Sequence, residues 1–420
     1  MSQDWESKKL SEICSLITDG VHNSPQYVEN GIPMLDSKHI NDNFFINDQN
    51  PTKFISQETD ILLSKRCKPL ENDLLISSRG SIGKIAIVRK DQNFNIMGNI
   101  ILLRVLANIN SRYIAFSLKY KLDEIQSISR GVAQKGLYLN QIRNFEITLP
   151  PFQEQKRIVA IVDEAFEGID RAIANTEKNL TNARELFESY LNATLSGQGK
   201  QWKETTLGKE IDLLTGFAFK SSGYTDSDKS IRLLRGDNIA PGSLRWDGVK
   251  RWPESEVNEY LYYQLQEGDV VLAMDRPWIK TGLRRAQITK DDLPCLLVQR
   301  TACLRGDDNL ENRFLLYLIS GRAFTQHVLG SQTGLSVPHI SGKQIQSFEF
   351  SKPSLREQYS IIDSLDELKS ETKRLEAIYQ QKITALNELK QSILQKAFTG
   401  ELTADITNQA TKTAKEVVAA

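Results

Sequence analysis

LPPFQEQKRIVAIVDEAFEGIDRAIANTEKNLTNARELFESYLNATLSG, residues Leu149 to Gly197, is the stretch on which the fold turns. It has an echo from Lys352 to Gly400, KPSLREQYSIIDSLDELKSETKRLEAIYQQKITALNELKQSILQKAFTG. The two superpose without a gap from Ile142/Ile345 to Gly197/Gly400, at a constant offset of 203 residues. Glu154-Gln155 falls on Glu357-Gln358, Ile158 on Ile361, Asp163-Glu164 on Asp366-Glu367, and Leu191 on Leu394. Each copy opens with a proline (Pro150, Pro353) and closes with a glycine, which is how one long helix is punctuated.

Both copies carry heptad spacing. One row is common to the two: Val162/Leu365, Ile169/Thr372, Thr176/Tyr379, Ala183/Leu386 and Tyr190/Ile393. A row repeating every seven residues calls for helix-on-helix packing, most simply one copy against the other. A 45-residue helix is about 68 Å long at about 1.5 Å per residue, enough to overhang a block of 150 residues. Val162, Ile169, Ala183, Tyr190, Leu365, Tyr379, Leu386 and Ile393 are therefore expected in the core of a helix pair.

The rest of the chain repeats more loosely. Trp5/Leu10 recurs as Trp202/Leu207, Ile32–Ile40 as Ile231–Ile239, Glu71–Ile76 as Glu267–Leu272, and Arg112-Tyr113 as Arg313-Phe314. The offset varies between 196 and 203, so the blocks differ by small loop insertions. Short apolar runs bounded by Gly, Asn, Asp and Pro read as strands. They are Leu74–Ser77, Ile85–Val88, Ile100–Val105 and Phe145–Leu149, then Ile231–Leu234, Val270–Ala273, Ala286–Ile288, Leu296–Val298 and Ser347–Phe350. Helices are expected at Tyr113–Lys121 and Phe314–Gly321. The prediction is an α+β chain with an internal pseudo-two-fold repeat: a globular block at 1–151, a long helix at 152–197, a second block at 198–353, a second helix at 354–402 and a flexible tail at 403–420. Gly197-Gln198-Gly199 reads as a flexible joint.

Composition sets broad limits. With 420 residues, 40% hydrophobic and 25% charged, the chain is an ordinary soluble protein of more than one domain. Cys14, Cys67, Cys295 and Cys303 are scattered, as expected of reduced structural thiols in the cytoplasm. No apolar run suggests a signal peptide or a membrane span. The net charge is zero, which excludes a polybasic binder but leaves room for a focused one.

Catalytic signatures are missing from the stretches that come nearest to them. Leu149-Pro-Pro-Phe152 lacks the side-chain oxygen that an amino-methyltransferase loop needs, and no glycine-rich cofactor motif precedes it. Arg79–Lys84 lacks the earlier glycine and the final Ser/Thr of a phosphate loop. The four histidines are too dispersed for a metal site. Neither a catalytic residue, a metal nor a cofactor is expected. What recurs is a pair of loops rich in Gly, Ser, Arg, Lys and Gln in each block. Arg and Lys suit guanine edges and phosphates, Gln suits adenine, and glycine lets the backbone approach a duplex. The candidate DNA-contacting residues are Arg79, Ser81, Lys84, Ser129, Arg130, Gln134, Lys135 and Tyr138 in the first block, and Arg276, Lys280, Arg284, Arg285, Ser331, Gln332, Thr333, Ser336 and His339 in the second.

Several of these stretches carry a family resemblance. Ile17–Gly20, Ile32–Leu35, Ser78–Lys84, Gly131–Leu137, Leu149–Gln155 and Leu394–Leu402 together resemble type I restriction–modification specificity subunits, from residue 4 to about 403. The second copy departs from the pattern: Ser351-Lys352-Pro353-Ser354 stands for Leu-Pro-Pro-Phe, and Asp275-Arg276-Pro277-Trp278 for the Ser-Arg-Gly-Ser loop. The resemblance implies two target-recognition domains, each reading half of a split, asymmetric site in double-stranded DNA, held apart by an antiparallel coiled coil. It also implies a non-catalytic subunit, one copy per complex, working with two methyltransferase subunits and with restriction subunits.

Overall fold

Leu74–Ser77 is apolar at three of its four positions, and all four residues are buried at the heart of a sheet. In this computed structural model, which describes residues 5–41, 44–49, 51–130, 136–197, 200–330 and 338–403, that sheet occurs twice. The chain divides into two units, Met1–Thr176 with Gln381–Ala420 and Glu177–Gln380. In the first unit the strands Cys14–Asp19, Ile100–Val105, Leu74–Ser77 and Ile85–Ile87 lie side by side, every neighbour antiparallel. The second unit repeats that order with Ile211–Thr215, Thr301–Gly306, Val270–Ala273 and Arg285–Gln287.

The register repeats as well. Leu74 faces Leu103 and Ile76 faces Ile101, as Val270 faces Leu304 and Leu272 faces Ala302. Each unit adds a mixed three-stranded sheet (around Ile32–Leu35 or Ile231–Leu234) and a two-stranded closure of Glu6–Lys9 with Glu146–Leu149 or Lys203–Thr206 with Glu349–Lys352. One helix, Ser111–Tyr120 or Asn312–Ser320, covers each sheet. The α+β class and the internal repeat expected from the sequence are those observed. Cys14–Asp19, Ile211–Thr215 and Thr301–Gly306 are strands that the apolar pattern did not announce. Their polar and small residues become strand through pairing with a neighbour. Two glycines permit a close crossing in each unit. A Cβ on Gly20 would stand 2.2 Å from the Ile96 carbonyl oxygen, and one on Gly216 would stand 2.1 Å from that of Val298.

The long helices span Phe152–Leu195 (44 residues) and Leu355–Thr399 (45 residues). Beyond each end sits a left-handed glycine, Gly197 at φ +61° and Gly400 at φ +84°, a conformation that glycine adopts without strain. The glutamine of each Glu-Gln pair is buried at the helix start. Gln155 Nε2 donates to the Pro150 carbonyl at 2.8 Å, and its Oε1 accepts from the Asn110 backbone N–H at 2.9 Å. Gln358 does the same with the Pro353 carbonyl at 3.0 Å and the Glu311 N–H at 2.9 Å, and also reaches the Asn309 carbonyl at 2.9 Å.

Within each unit the beginning of one long helix packs beside the end of the other, so the pairing is antiparallel. In the first unit Val162 and Phe166 cluster with Leu394, Ala397 and Phe398, and Lys390 pairs with Asp170. In the second, Leu191 clusters with Ile361, Ile362 and Leu365, and Arg184 pairs with Glu376 at 2.8 Å. Of the expected seam, Val162, Ile169, Ala183 and Leu365 are buried, while Tyr379, Leu386 and Ile393 are half-buried. Tyr190 departs from it, being 43% exposed, whereas Leu191 is 4% exposed. A straight helix drifts about 20° per heptad. Over the four heptads from Val162 that drift approaches the ~100° between successive residues, and Leu191 takes the place. The expected joint at Gln198-Gly199 and the tail beyond Thr403 lie outside the described residues.

Truncating either pinned glutamine strands a backbone donor and acceptors in the interior. Gln155→Ala and Gln358→Ala are each expected to cost about 2–3 kcal/mol in urea titration. Hydrogen exchange should accelerate over Ser111–Tyr120 in the first variant and over Asn312–Ser320 in the second.

Candidate nucleic-acid interface

Each block gathers its candidate loops by the same backbone hydrogen bonds. In the first, the Leu137 N–H donates to the Ser78 carbonyl and the Ser78 N–H donates to the Asn99 carbonyl, both at 2.9 Å. In the second, the Ile340 N–H donates to the Met274 carbonyl and the Met274 N–H donates to the Arg300 carbonyl, again at 2.9 Å. Three loops therefore meet at the end of the central strand. Two of them were legible as Gly/Ser/Arg-rich repeats. The third, which carries Asn99 or Arg300, was missed because it is short and no cluster of repeated chemistry marks it. The positive φ of Arg300, +63°, is visible only in the structure.

In the first block Ser77 is wholly buried, and its hydroxyl shapes the turn that follows. It donates to the Ser81 carbonyl at 2.5 Å and accepts from the Lys84 N–H at 2.9 Å. Arg79, Gly80 and Ser81 are pushed outward and exposed, while Lys84 is half-buried. Ser129, expected at the surface, is buried and donates to the Gln126 carbonyl one turn back at 2.7 Å. Tyr138 is 38% exposed, at the start of the helix Leu139–Arg143. The Arg130 side chain and residues Gln134 and Lys135 lie outside the described residues.

The second block replaces that turn with a small hairpin, Trp278–Ile279 against Gly282–Leu283. Arg276, Trp278 and Lys280 are exposed on it. Of Arg284 and Arg285, both expected at the surface, the first is buried and the second half-buried. Arg284 is 7% exposed; its Nε donates to the Ile239 carbonyl at 3.0 Å and it also reaches the Gly236 carbonyl. Burial holds its guanidinium below the usual range. Arg285 Nε donates to Ser320 Oγ at 2.6 Å, and burial lowers its pKa to about 10. Adjacent strand residues face opposite sides: Arg284 is covered by Gly236–Ile239, whereas Arg285 reaches the helix Asn312–Ser320 and keeps partial exposure.

His339 joins two of the loops. Its Nδ1 lies 2.6 Å from Asp275 Oδ1, and Arg300 donates to Asp275 Oδ2 at 2.5 Å. Burial works to raise the Asp275 carboxyl, but the His339 and Arg300 hydrogen bonds and charges outweigh it and hold it below the ordinary carboxylate range. Ser331, Gln332, Thr333 and Ser336 lie outside the described residues. Among the described residues no His, Cys, Asp and Glu cluster could hold a metal. Among the described residues no helix is long and apolar enough to cross a membrane. Burial pushes the Cys67 thiol up to about 11 and those of Cys14 and Cys295 up to about 12.

The type I restriction modification DNA specificity domain is matched twice, by residues 2–182 and 200–385. The specificity subunit of the type I restriction enzyme EcoAI from Escherichia coli is 39% identical over 168 residues, covering 40% of this chain and 28% of that protein. The MjaVIII specificity subunit of Methanocaldococcus jannaschii is 24% identical over 406 residues, 88% of this chain and 89% of that one. Among solved structures, a chain from work on complex assembly and conformational transition of a type I R-M system superposes with TM-score 0.74 at 20% identity, covering 96% of this chain and 99% of that one. The HsdS subunit from Thermoanaerobacter tengcongensis superposes with TM-score 0.59 at 20% identity over 96% and 98%.

Two outcomes test the inward arginine and the loop junction. Arg284→Ala leaves buried carbonyls without a donor and is expected to lower stability by about 1–3 kcal/mol. Arg276→Ala, on the surface, should stay within about 0.5 kcal/mol of wild type in the same melt. The Asp275 contribution is fully present above the ordinary aspartate pKa of about 3.9 and is lost as pH falls through its lower folded value. Asp275→Asn should flatten that limb of the stability–pH curve.

Proposed function

The chain belongs to the type I restriction modification DNA specificity family, and on that footing we propose that it is the DNA-reading subunit of such a system. In this reading each block recognises one half of a bipartite, asymmetric site in double-stranded DNA. The subunit carries no catalytic residue of its own. One copy works in the cytoplasm with two methyltransferase subunits, which supply the S-adenosylmethionine-dependent adenine chemistry, and with ATP-driven restriction subunits.

One observation supports the reading above all: the same three-loop junction stands at the same place in both blocks but presents different side chains. Arg79, Ser81, Lys84 and Tyr138 would face one half-site, and Arg276, Lys280 and His339 the other. A shared scaffold with divergent tips is what two different half-sites require, since base edges are read by side chains while the backbone sets position. The long helices, 152–197 and 354–402, would set the half-site spacing and offer the surface on which the methyltransferase subunits dock.

Arg79→Ala is expected to weaken recognition of one half-site by about 1–3 kcal/mol per base pair read, and Arg276→Ala that of the other. Methylation mapping over a library of bipartite sites reads this directly. Equal loss on all sequences would make both residues phosphate clamps. Lengthening both long helices by one turn, about 5.4 Å, should move the preferred spacer by one or two base pairs of about 3.4 Å. An unchanged spacer would overturn the spacing role.

A further inference from the structure

The internal repeat supplies a control that most folds lack. Three positions in the first unit form part of its apolar interior: Ile85, Phe116 and Phe166, all buried, with the two rings edge to face at 5.5 Å. The strand register and helix offset place Arg285, Tyr317 and Lys369 at these positions in the second unit. Ile76 pairs with Ile85 as Leu272 pairs with Arg285. Arg112 bonds Asp163 as Arg313 bonds Asp366, which fixes the helix-to-helix correspondence. Burying charge costs stability unless it is compensated, and the sister unit shows that apolar side chains can fill this space.

The compensation is incomplete. Arg285 donates to Ser320 Oγ and to the Leu283 carbonyl, which leaves part of its guanidinium fork unspent. Lys369 lies with Nζ 5.6 Å from the centre of the Tyr317 ring. The carboxylate one turn back on its helix, Asp366, is already shared by Arg313 at 2.8 Å and the Tyr317 hydroxyl at 2.5 Å. Burial, then Lys373 and Arg285, hold the Lys369 ammonium below its usual range. Both cations line one open cavity with Thr281, Ser320 and Arg322, and the exposed Glu185 and Glu188 of the long helix lie on its wall. Among the described residues neither Arg285 nor Lys369 has a carboxylate at ion-pair distance.

We infer that this cavity is a binding site for a phosphate-class oxyanion, held by the Arg285 fork and the Lys369 ammonium, and peculiar to the second unit. Arg suits such an anion because two parallel N–H groups meet two oxygens, and Lys adds a point charge. The source is either a phosphate of the DNA backbone or a free phosphate-bearing ligand. The site stands on its own geometry and does not require the DNA-reading role.

The test is a titration of the full-length chain with inorganic phosphate, followed by 31P NMR at constant ionic strength with chloride as the balancing anion. Saturable binding at one site is expected. The double variant Arg285→Ile with Lys369→Phe, which copies the first unit, should bind at least about tenfold more weakly and melt no lower than wild type in chloride. Should that variant fail to fold, Arg285→Lys keeps the charge but loses the fork, and about a tenfold loss is again expected. No saturable binding by the wild type, or unchanged binding by the folded variants, overturns the proposal. Repeating the titration with saturating random-sequence duplex identifies the source: displaced phosphate points to the DNA backbone, and retained phosphate to a free ligand.

Discussion

Each long helix is fastened to its block through one buried glutamine, and much of the architecture depends on that fastening. Gln155 and Gln358 bond the carbonyl of the proline that opens their own helix and the N–H at the cap of the neighbouring helix. A helix held this way cannot slide or turn without stranding buried polar groups, which is costly away from water. Flanking ion pairs work in the same sense: Arg112 with Asp163 at 2.6 Å and Arg313 with Asp366 at 2.8 Å. Behind them the sheets are stitched by Asp73 with Arg104 and Asp269 with Arg305. In each unit, block and helix are one packed body.

On that common frame the two blocks part company at their tips. The hydrogen bonds that gather the loops are the same, so the backbone is positioned alike. A turn shaped by Ser77 stands in one block where a hairpin bearing Trp278 stands in the other. Where the first unit packs Ile85 and Phe166, the second places Arg285 and Lys369. A duplicated scaffold that keeps its polar pins while varying its loops separates stability from specificity. Such a scaffold would suit the proposed reader of two unlike half-sites.

The sequence alone determined the repeat, the two long helices with their proline starts and glycine ends, their packing on each other and the α+β character of the blocks. These are legible because heptad spacing, capping residues and apolar runs act locally or at a fixed period. Tertiary structure decided the rest. Whether Arg284 and Arg285 faced solvent depended on which elements cover the two faces of their strand, and those elements lie far away in sequence. Tyr190 yielded its place to Leu191 because the small mismatch between 3.5 and 3.6 residues per turn accumulates along a straight helix. The third loop of each junction, at Asn99 and Arg300, carries no cluster of its own and joins the site through backbone hydrogen bonds to residues distant in the chain. Local pattern can specify which elements form. Only long-range pairing sets which way their side chains point and which loops meet.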